Sequence, residues 1–267
     1  MVLKGIGYGD KTAADVAKIN SLNPDWWYNW GQKRVVATKD NTPEFVPMLY
    51  SDNAERLAAF AADIKALKDE SPRTITAILG PNEPDWEQTL PDGTKAPAKM
   101  TPLEVLNIWK YIQDNGYALR KGSPAPVSTS RIWMDRFMGA QKALDQGQES
   151  WNRDFEVNFV AVHIYQNPSV STFFNKCKDV YAKYGKPVWV TETCVHDFDA
   201  NTLAENKYSR TQVNDYMAAI FAGAADYPWL ERIAWHTRAA GDPVGGTANL
   251  FNADGTLTST GQLYASL

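Results

Sequence analysis

Cysteines, long apolar runs and blocks of one charge are what this chain is short of. It has two cysteines, Cys177 and Cys194. Two thiols cannot build the framework of a small disulfide-rich domain, and no metal-type spacing accompanies them. One disulfide, or two half-buried free thiols, are the readings left open. No stretch is long and apolar enough to span a bilayer, which argues against a membrane partner. The formal net charge is −4 without a basic block, so nothing offers a footprint for nucleic acid or an anionic membrane surface. No Gly-x-Gly-x-x-Gly follows an early strand, and the fingerprint of a dinucleotide-binding open sheet is missing. Met1-Val2-Leu3-Lys4 leads straight into strand-like sequence with no visible leader. The expectation is either a cytosolic protein or a mature form whose leader has been removed. No linker composition or internal repeat divides the chain, so residues 1–267 are expected to form one domain. The expected partner is a saccharide alone, with the protein acting as a monomer.

What is plentiful is aromatic: 10 Trp, 12 Tyr and 10 Phe in 267 residues. Packing accounts for many of them, including Trp26, Trp27, Trp109 and Trp189, which are expected in the core. Several others fall at the ends of expected strands, where a core no longer needs them. Trp86 and Trp133 fit either a core or an outer subsite.

The pattern of apolar runs and punctuation alternates strand and helix. Strands are expected at 5–8, 25–30, 44–50, 75–83, 119–128, 157–165, 187–193 and 230–237. Helices are expected over 10–22, from the Asn53 cap, from Thr101-Pro102-Leu103-Glu104, over 132–144, over 170–184, over 211–224 and at the C-terminus. Thr101 with Glu104 is a capping box, and Pro102 at the first helical position strengthens it. Gly185 and Pro187 stop the helix before the seventh strand. Residues 87–100 read as a polar loop. Eight strands alternating with helices over about 250 residues predict an α/β fold, a closed (β/α)8 TIM barrel.

In such a barrel the strands' C-terminal ends converge on one face, and chemistry-bearing residues collect there. Glu83, flanked by Pro81 and Pro84 with Asn82 beside it, would end the fourth strand. Glu192 would end the seventh. Asn29 and Trp30 end the second, His163 and Tyr165 the sixth, and Trp235 and His236 the eighth. Two carboxylates across a cleft are what glycoside hydrolysis needs, one protonated to serve the leaving oxygen and one ionised. Tryptophan faces stack on sugar rings, so the aromatic content fits a neutral saccharide substrate.

At this point the chain resembles the clan A glycoside hydrolases and, among them, glycoside hydrolase family 128, the endo-β-1,3-glucanases. The resemblance lies in GIGYG at 5–9, WWYNWG at 26–31, FVPMLY at 45–50, LGPNEPD at 79–85, MTPLEVLNIWK at 100–110, GSPA at 122–125, FVAVHIY at 159–165, KPVWVTET at 186–193 and RIAWH at 232–236. These run in order over nearly the whole chain. The resemblance implies a retaining mechanism on β-1,3-glucan or its oligosaccharides, with no cofactor and no metal. It also implies roles: Glu83 as general acid/base and Glu192 as nucleophile. Asn82 would bond the 2-hydroxyl of the reacting sugar, Tyr165 and His163 would orient nucleophile and sugar, and Trp235 would stack beneath the sugar with Trp30 nearby. The family often has Phe where this chain has Thr193, Trp where it has Ile164, and Phe where it has His236. Both carboxylates are retained. A polymeric glucan substrate leads to the expectation of secretion.

Other readings stay in view. His163, His196, His236 and Glu192 could ligate a metal, though their spacing matches no zinc signature. A sugar-binding barrel without turnover would use the same cleft but would need neither carboxylate. A β-mannanase or β-1,4-glucanase would share the carboxylates and differ in cleft shape. Asp85 and Glu87 read as solvated loop charges.

Overall fold

A computed structural model describes residues 1–36, 43–70, 75–86, 99–116, 118–129, 132–139 and 156–267. Eight strands alternate with helices: β1 (Leu3–Gly7), α1 (Ala13–Ser21), β2 (Trp26–Tyr28), β3 (Glu44–Phe45), α2 (Ala54–Asp69), β4 (Ala77–Ile78), α3 (Pro102–Asn115), β5 (Arg120–Lys121), α4 (Ile132–Phe137), β6 (Val160–Gln166), α5 (Val170–Tyr184), β7 (Val188–Val195), α6 (Arg210–Gly223), β8 (Leu230–His236) and α7 (Ser259–Ser266). All pairings between these strands are parallel. β3-β2-β1-β8-β7-β6 form one sheet and β4-β5 another. Single parallel bridges, Met48 to Leu79 and Gly122 to Phe159, join the two and close the ring. The fold is the expected (β/α)8 barrel.

Local signals explain the helices. Thr101 accepts the Glu104 backbone N–H, and the Glu104 carboxylate accepts the Thr101 N–H, so two otherwise orphaned donors are satisfied before Pro102 begins α3. Its stripe of Val105, Ile108, Trp109 and Ile112 is buried. Each such side chain contributes roughly 1.5–3 kcal/mol of transfer free energy. Asn53 caps α2, and Gly185 at φ 63° takes the left-handed position after α5. α1 begins later than expected because Thr12 and Asp15 make the capping box. Asp10 instead accepts the backbone N–H groups of Val35 and Val36. The helix expected over 132–144 ends at Phe137, followed by a turn with Gly139 at φ 71°. Its residues 140–144, and 87–98 of the expected polar loop, lie outside the described residues. Asp85 is not a solvated charge; it is buried and accepts the Val127 N–H. Glu87 lies outside the described residues. Cys177 and Cys194 are buried free thiols.

Alternation divides the barrel's two faces. Ile6, Trp27, Val160, Val162, Ile164, Val190, Ile233 and Trp235 belong to the layer between strands and helices. Trp26, Tyr28, Val46, Met48, Leu79, Phe159, Trp189 and Ala234 fill the interior. There Phe159 stacks on Trp189 at 3.7 Å, and the Arg232 guanidinium lies 4.0 Å from the Trp189 ring centre while pairing with Glu44 at 2.9 Å. β1 contributes glycine to this interior. A Cβ at Gly5 would sit 2.1 Å from the Trp26 ring, and one at Gly7 2.8 Å from Tyr28 and 3.0 Å from Trp30.

Candidate active site

Glu192 is placed by an irregularity in β7. Along β6, Val162 and His163 are consecutive, yet their β7 partners are Val190 and Glu192. Thr191 is therefore an extra residue, a bulge of the kind that re-aims side chains next to functional sites. Trp189 points into the barrel and Val190 outward; after the extra residue Glu192 points inward again. Its carboxylate is buried and saturated with donors. The Tyr28 hydroxyl is 3.1 Å from Oε1, the Trp30 indole N–H donates to Oε1 at 3.0 Å, and the Tyr165 hydroxyl makes a short bond to Oε2. His163 Nδ1 is 3.6 Å and His236 Nδ1 3.7 Å from Oε2.

These contacts set the charge. Burial opposes ionisation of Glu192, but the two imidazoles and the Tyr165 and Trp30 hydrogen bonds outweigh it and pull its pKa to about 2. Burial holds His236 below the ordinary histidine value, so at neutral pH that ring carries little charge. We attribute the depression chiefly to His163, Tyr165 and Trp30. For His163 burial acts downward, and the nearby carboxylates of Glu192 and Glu83 turn the balance upward. Tyr28 and Tyr165 are held well above the ordinary phenol value by burial and by Glu192, so both remain donors.

Glu83 is held differently. It follows Pro81 and Asn82 with φ at 42°, a strained conformation for a non-glycine residue, and its N–H bonds to the Ala125 carbonyl at 2.8 Å. The strain aims its side chain at His163, whose Nδ1 lies 2.8 Å from Oε1. Single atoms of Glu83, His163 and Glu192 all lie within 4.8 Å of one another. This trio is the one group among the described residues spaced to accept a divalent cation, although His163 Nδ1 is already engaged with Glu83.

The other expected site residues divide. Asn82 is buried beside Glu83, and its Oδ1 is buried without a hydrogen-bond partner. Trp30, at φ 57°, joins the cluster through its indole N–H. Asn29 does not reach it: its amide bonds Asp10 and the Lys33 carbonyl, and its carbonyl accepts the Gly31 N–H, which makes it a loop brace. Trp235 does not reach it either. It is fully buried on the outer face of β8, bonded to the Ala248 carbonyl at 3.0 Å and packed near Tyr216. Strand parity gives the cleft position to His236 instead. Trp133 is buried and bonded to the Met100 carbonyl, a core role. Trp86 is about one-third exposed. Sequence reading missed Tyr28. The spacing of Trp26, Tyr28 and Trp30, every second residue on one strand, was the signal that would have placed it inside.

Comparison with known proteins gives a coherent result. The profile of a family described as glycosyl hydrolase catalytic core matches residues 5–264. A curated relative, alkali-sensitive linkage protein 1 of Schizosaccharomyces pombe, is 23% identical over 246 residues, covering 91% of this chain and 40% of that protein. The chain thus spans well under half the length of that relative. A solved endo-β-1,3-glucanase of glycoside hydrolase family 128, subgroup I, from Amycolatopsis mediterranei, in complex with laminaripentaose, is 24% identical. Its TM-score is 0.74, and the match covers 100% of this chain and 99% of that one. A subgroup VII oligosaccharide-binding protein from Trichoderma gamsii superposes with TM-score 0.67 at 21% identity over 99% of this chain and 93% of that one.

Proposed function

The chain belongs to the glycosyl hydrolase catalytic core family, and from that premise we propose that it hydrolyses β-1,3-glucosidic bonds by a retaining double displacement, with Glu192 as nucleophile and Glu83 as general acid/base. The observation that carries this reading is the carboxyl spacing. Oxygens of Glu83 and Glu192 lie within 4.8 Å of each other. Retaining enzymes hold the pair at about 5–5.5 Å, whereas inverting enzymes leave about 6.5–9.5 Å for a water.

The environments suit the two roles. Glu192 is ionised, buried and fixed by the Trp30 and Tyr165 donors, with the Tyr28 hydroxyl shared between it and the Thr191 carbonyl, which suits a group that attacks the anomeric carbon from one orientation. Glu83 delivers a proton to the leaving oxygen, then takes one from water as the glycosyl-enzyme bond breaks and Glu192 departs as carboxylate. His163, between them, orients both. Asn82 Oδ1 accepts from the hydroxyl next to the reacting carbon.

The choice of β-1,3-glucan is supported by the solved relative that holds laminaripentaose. A polymeric substrate of this kind is met outside the cell, and a monomer suffices for the chemistry. Among the described residues no helix is long and apolar enough to cross a membrane. The sugar-binding relative favours a second reading, capture without turnover. Against it stands a buried, ionised Glu192, which a binder of neutral sugar has no need to stabilise. Incubation with laminarin, cellulose and mannan, with the first-formed anomer followed by NMR, tests the proposal. Cleavage of laminarin with retained configuration is expected, undiminished in EDTA. An inverted product would refute the double displacement, and loss of activity in chelator would restore the metal reading.

A further inference from the structure

Among the described residues the His236 ring makes no hydrogen bond although it stands beside Glu192, and His196, stacked behind Tyr165, makes none either. β8 presents Ala234 and His236 to the interior and Ile233 and Trp235 to the helices. The ring is wedged edge-on between Trp30, at 6.0 Å, and Tyr165, at 5.7 Å. Both of those side chains bond Glu192. Nδ1 is buried and unpaired, turned towards Glu192 Oε2 at 3.7 Å, too far for a hydrogen bond. The side chain is 18% exposed. With the Nδ1 edge buried, the edge that meets the cleft is the one carrying Nε2.

We propose that His236 determines specificity at the subsite of the reacting sugar, its Nε2 accepting a sugar hydroxyl while Nδ1–H is directed at the Glu192 carboxylate. This rests on the hydrolase reading above. The facing carboxylate selects the tautomer: a proton on Nδ1 is favoured beside a negative oxygen, which leaves a lone pair on Nε2. The Trp30 indole beside it can only donate and the Tyr28 and Tyr165 hydroxyls direct their protons at Glu192, so an unprotonated ring nitrogen is the stronger acceptor at this position. A hydroxyl pointing at it is bonded, and a sugar lacking that hydroxyl leaves it unpaired. The charged and titratable groups that face the ring are Glu192, Arg238, His163, Glu83 and His196. Burial, helped by Arg238 and His163, keeps it neutral against Glu192. Protonation turns Nε2 into a donor and removes the acceptor, so activity through this contact falls on the acid side.

The test compares His236→Phe, His236→Gln and His236→Asn on whichever β-linked glucan the wild-type protein cleaves. Failure of the β-1,3 assignment then shows in the wild-type substrate panel, and failure of this proposal shows among the variants. Gln carries its amide to the position of Nε2, Asn only to that of Nδ1. His236→Phe is expected to lower kcat/KM about tenfold, equivalent to about 1.4 kcal/mol, and to move the acid limb of the pH profile to lower pH. His236→Gln restores most of the loss and His236→Asn does not. Wild-type kcat/KM and an unmoved acid limb in His236→Phe would overturn the proposal, leaving the ring as a wall. Rescue by Asn alone would also overturn it, by assigning the effect to Glu192. So would equal losses in all three variants with lowered melting temperatures.

Discussion

On one side of the barrel β6, β7 and β8 run seven or eight residues each, β6 pairing with β7, β7 with β8 across its bulge, and β8 with β1. On the other, β3, β4 and β5 are two residues each; β4 and β5 pair with each other, and single bridges tie them to their neighbours on either side. The two carboxylates fall on opposite sides of this divide. Glu192 rises from the long-stranded side and is met by side chains, namely Tyr28, Trp30, Tyr165 and two imidazoles. Glu83 stands on the short-stranded side and is set by backbone: flanking prolines, a positive φ, and one bond to the Ala125 carbonyl. A nucleophile must hold one orientation and one charge, and many converging donors secure both. The general acid/base role proposed for Glu83 requires a proton to be given and regained in each cycle, and its carboxyl contacts one imidazole, that of His163.

The comparison is most directly broken at Glu192. Glu192→Gln is expected to reduce kcat by about 10⁴-fold or more, with oligosaccharide binding retained, since shape and donors are nearly unchanged; steady-state kinetics with titration calorimetry checks both. Near-normal turnover would remove the nucleophile assignment. Next, Glu83→Gln should cost about 10²–10⁴ on glucans and far less on an aryl glycoside whose leaving group needs no proton. Equal losses on both substrates would mean that Glu83 is not the acid.

Smaller effects test how each side is held. Tyr165→Phe is expected to lower kcat by about 10–100-fold and to raise the Glu192 pKa, visible in the shift of its ¹³C-labelled carboxyl. The sign follows from the hydrogen bond, which favours the charged form. For stability the same depression means that Glu192 supports the folded state above the ordinary carboxylate value of 4.5, and that this support is lost as pH falls towards about 2. In Tyr165→Phe that support is smaller and is exhausted at higher pH, so the melting temperature falls less on acidification below 4.5, as an acid titration would record. Smallest for catalysis is Trp235→Phe. With its ring on the outer face of β8, the variant should lose about 1–3 kcal/mol of stability while KM on oligosaccharides stays put. A raised KM would return Trp235 to the cleft.

Much of this was legible in the sequence. The alternation of strands and helices, the Thr101 capping box, the Asn53 cap and the Gly185 stop are local signals written in adjacent residues, and the folded chain obeys them. Asn82-Glu83 between prolines and Glu192 after a β-branched run marked the two carboxylates for the same reason. What was not legible is side-chain direction at strand ends. Trp235 and His236 are neighbours, and which of them enters the barrel depends on register against β7, a long-range property. Trp30 keeps the inward alternation of Trp26 and Tyr28 past the end of β2, and it does so at a positive φ, a conformation its residue type does not announce. Asp10 read as the first residue of a helix and proved to be a clasp for residues 35 and 36, since competition between a helix cap and a distant backbone is decided only once both are in place.

The extra residue at Thr191 lets β7 carry two reading frames. Up to Val190 the strand is phased for packing, and from Glu192 onward it is phased for chemistry. Drawing Thr191 into regular pairing would turn Glu192 towards the helical layer, whereas removing Thr191 would leave Glu192 beside Val190 and still in the inward phase. It is the bulge, not the added length, that keeps the groups above the junction aimed at the mouth. Conversely, side chains below the junction can be exchanged for others of equal volume without altering the aim of the groups above it, so the lower strand is open to redesign and the upper one is not.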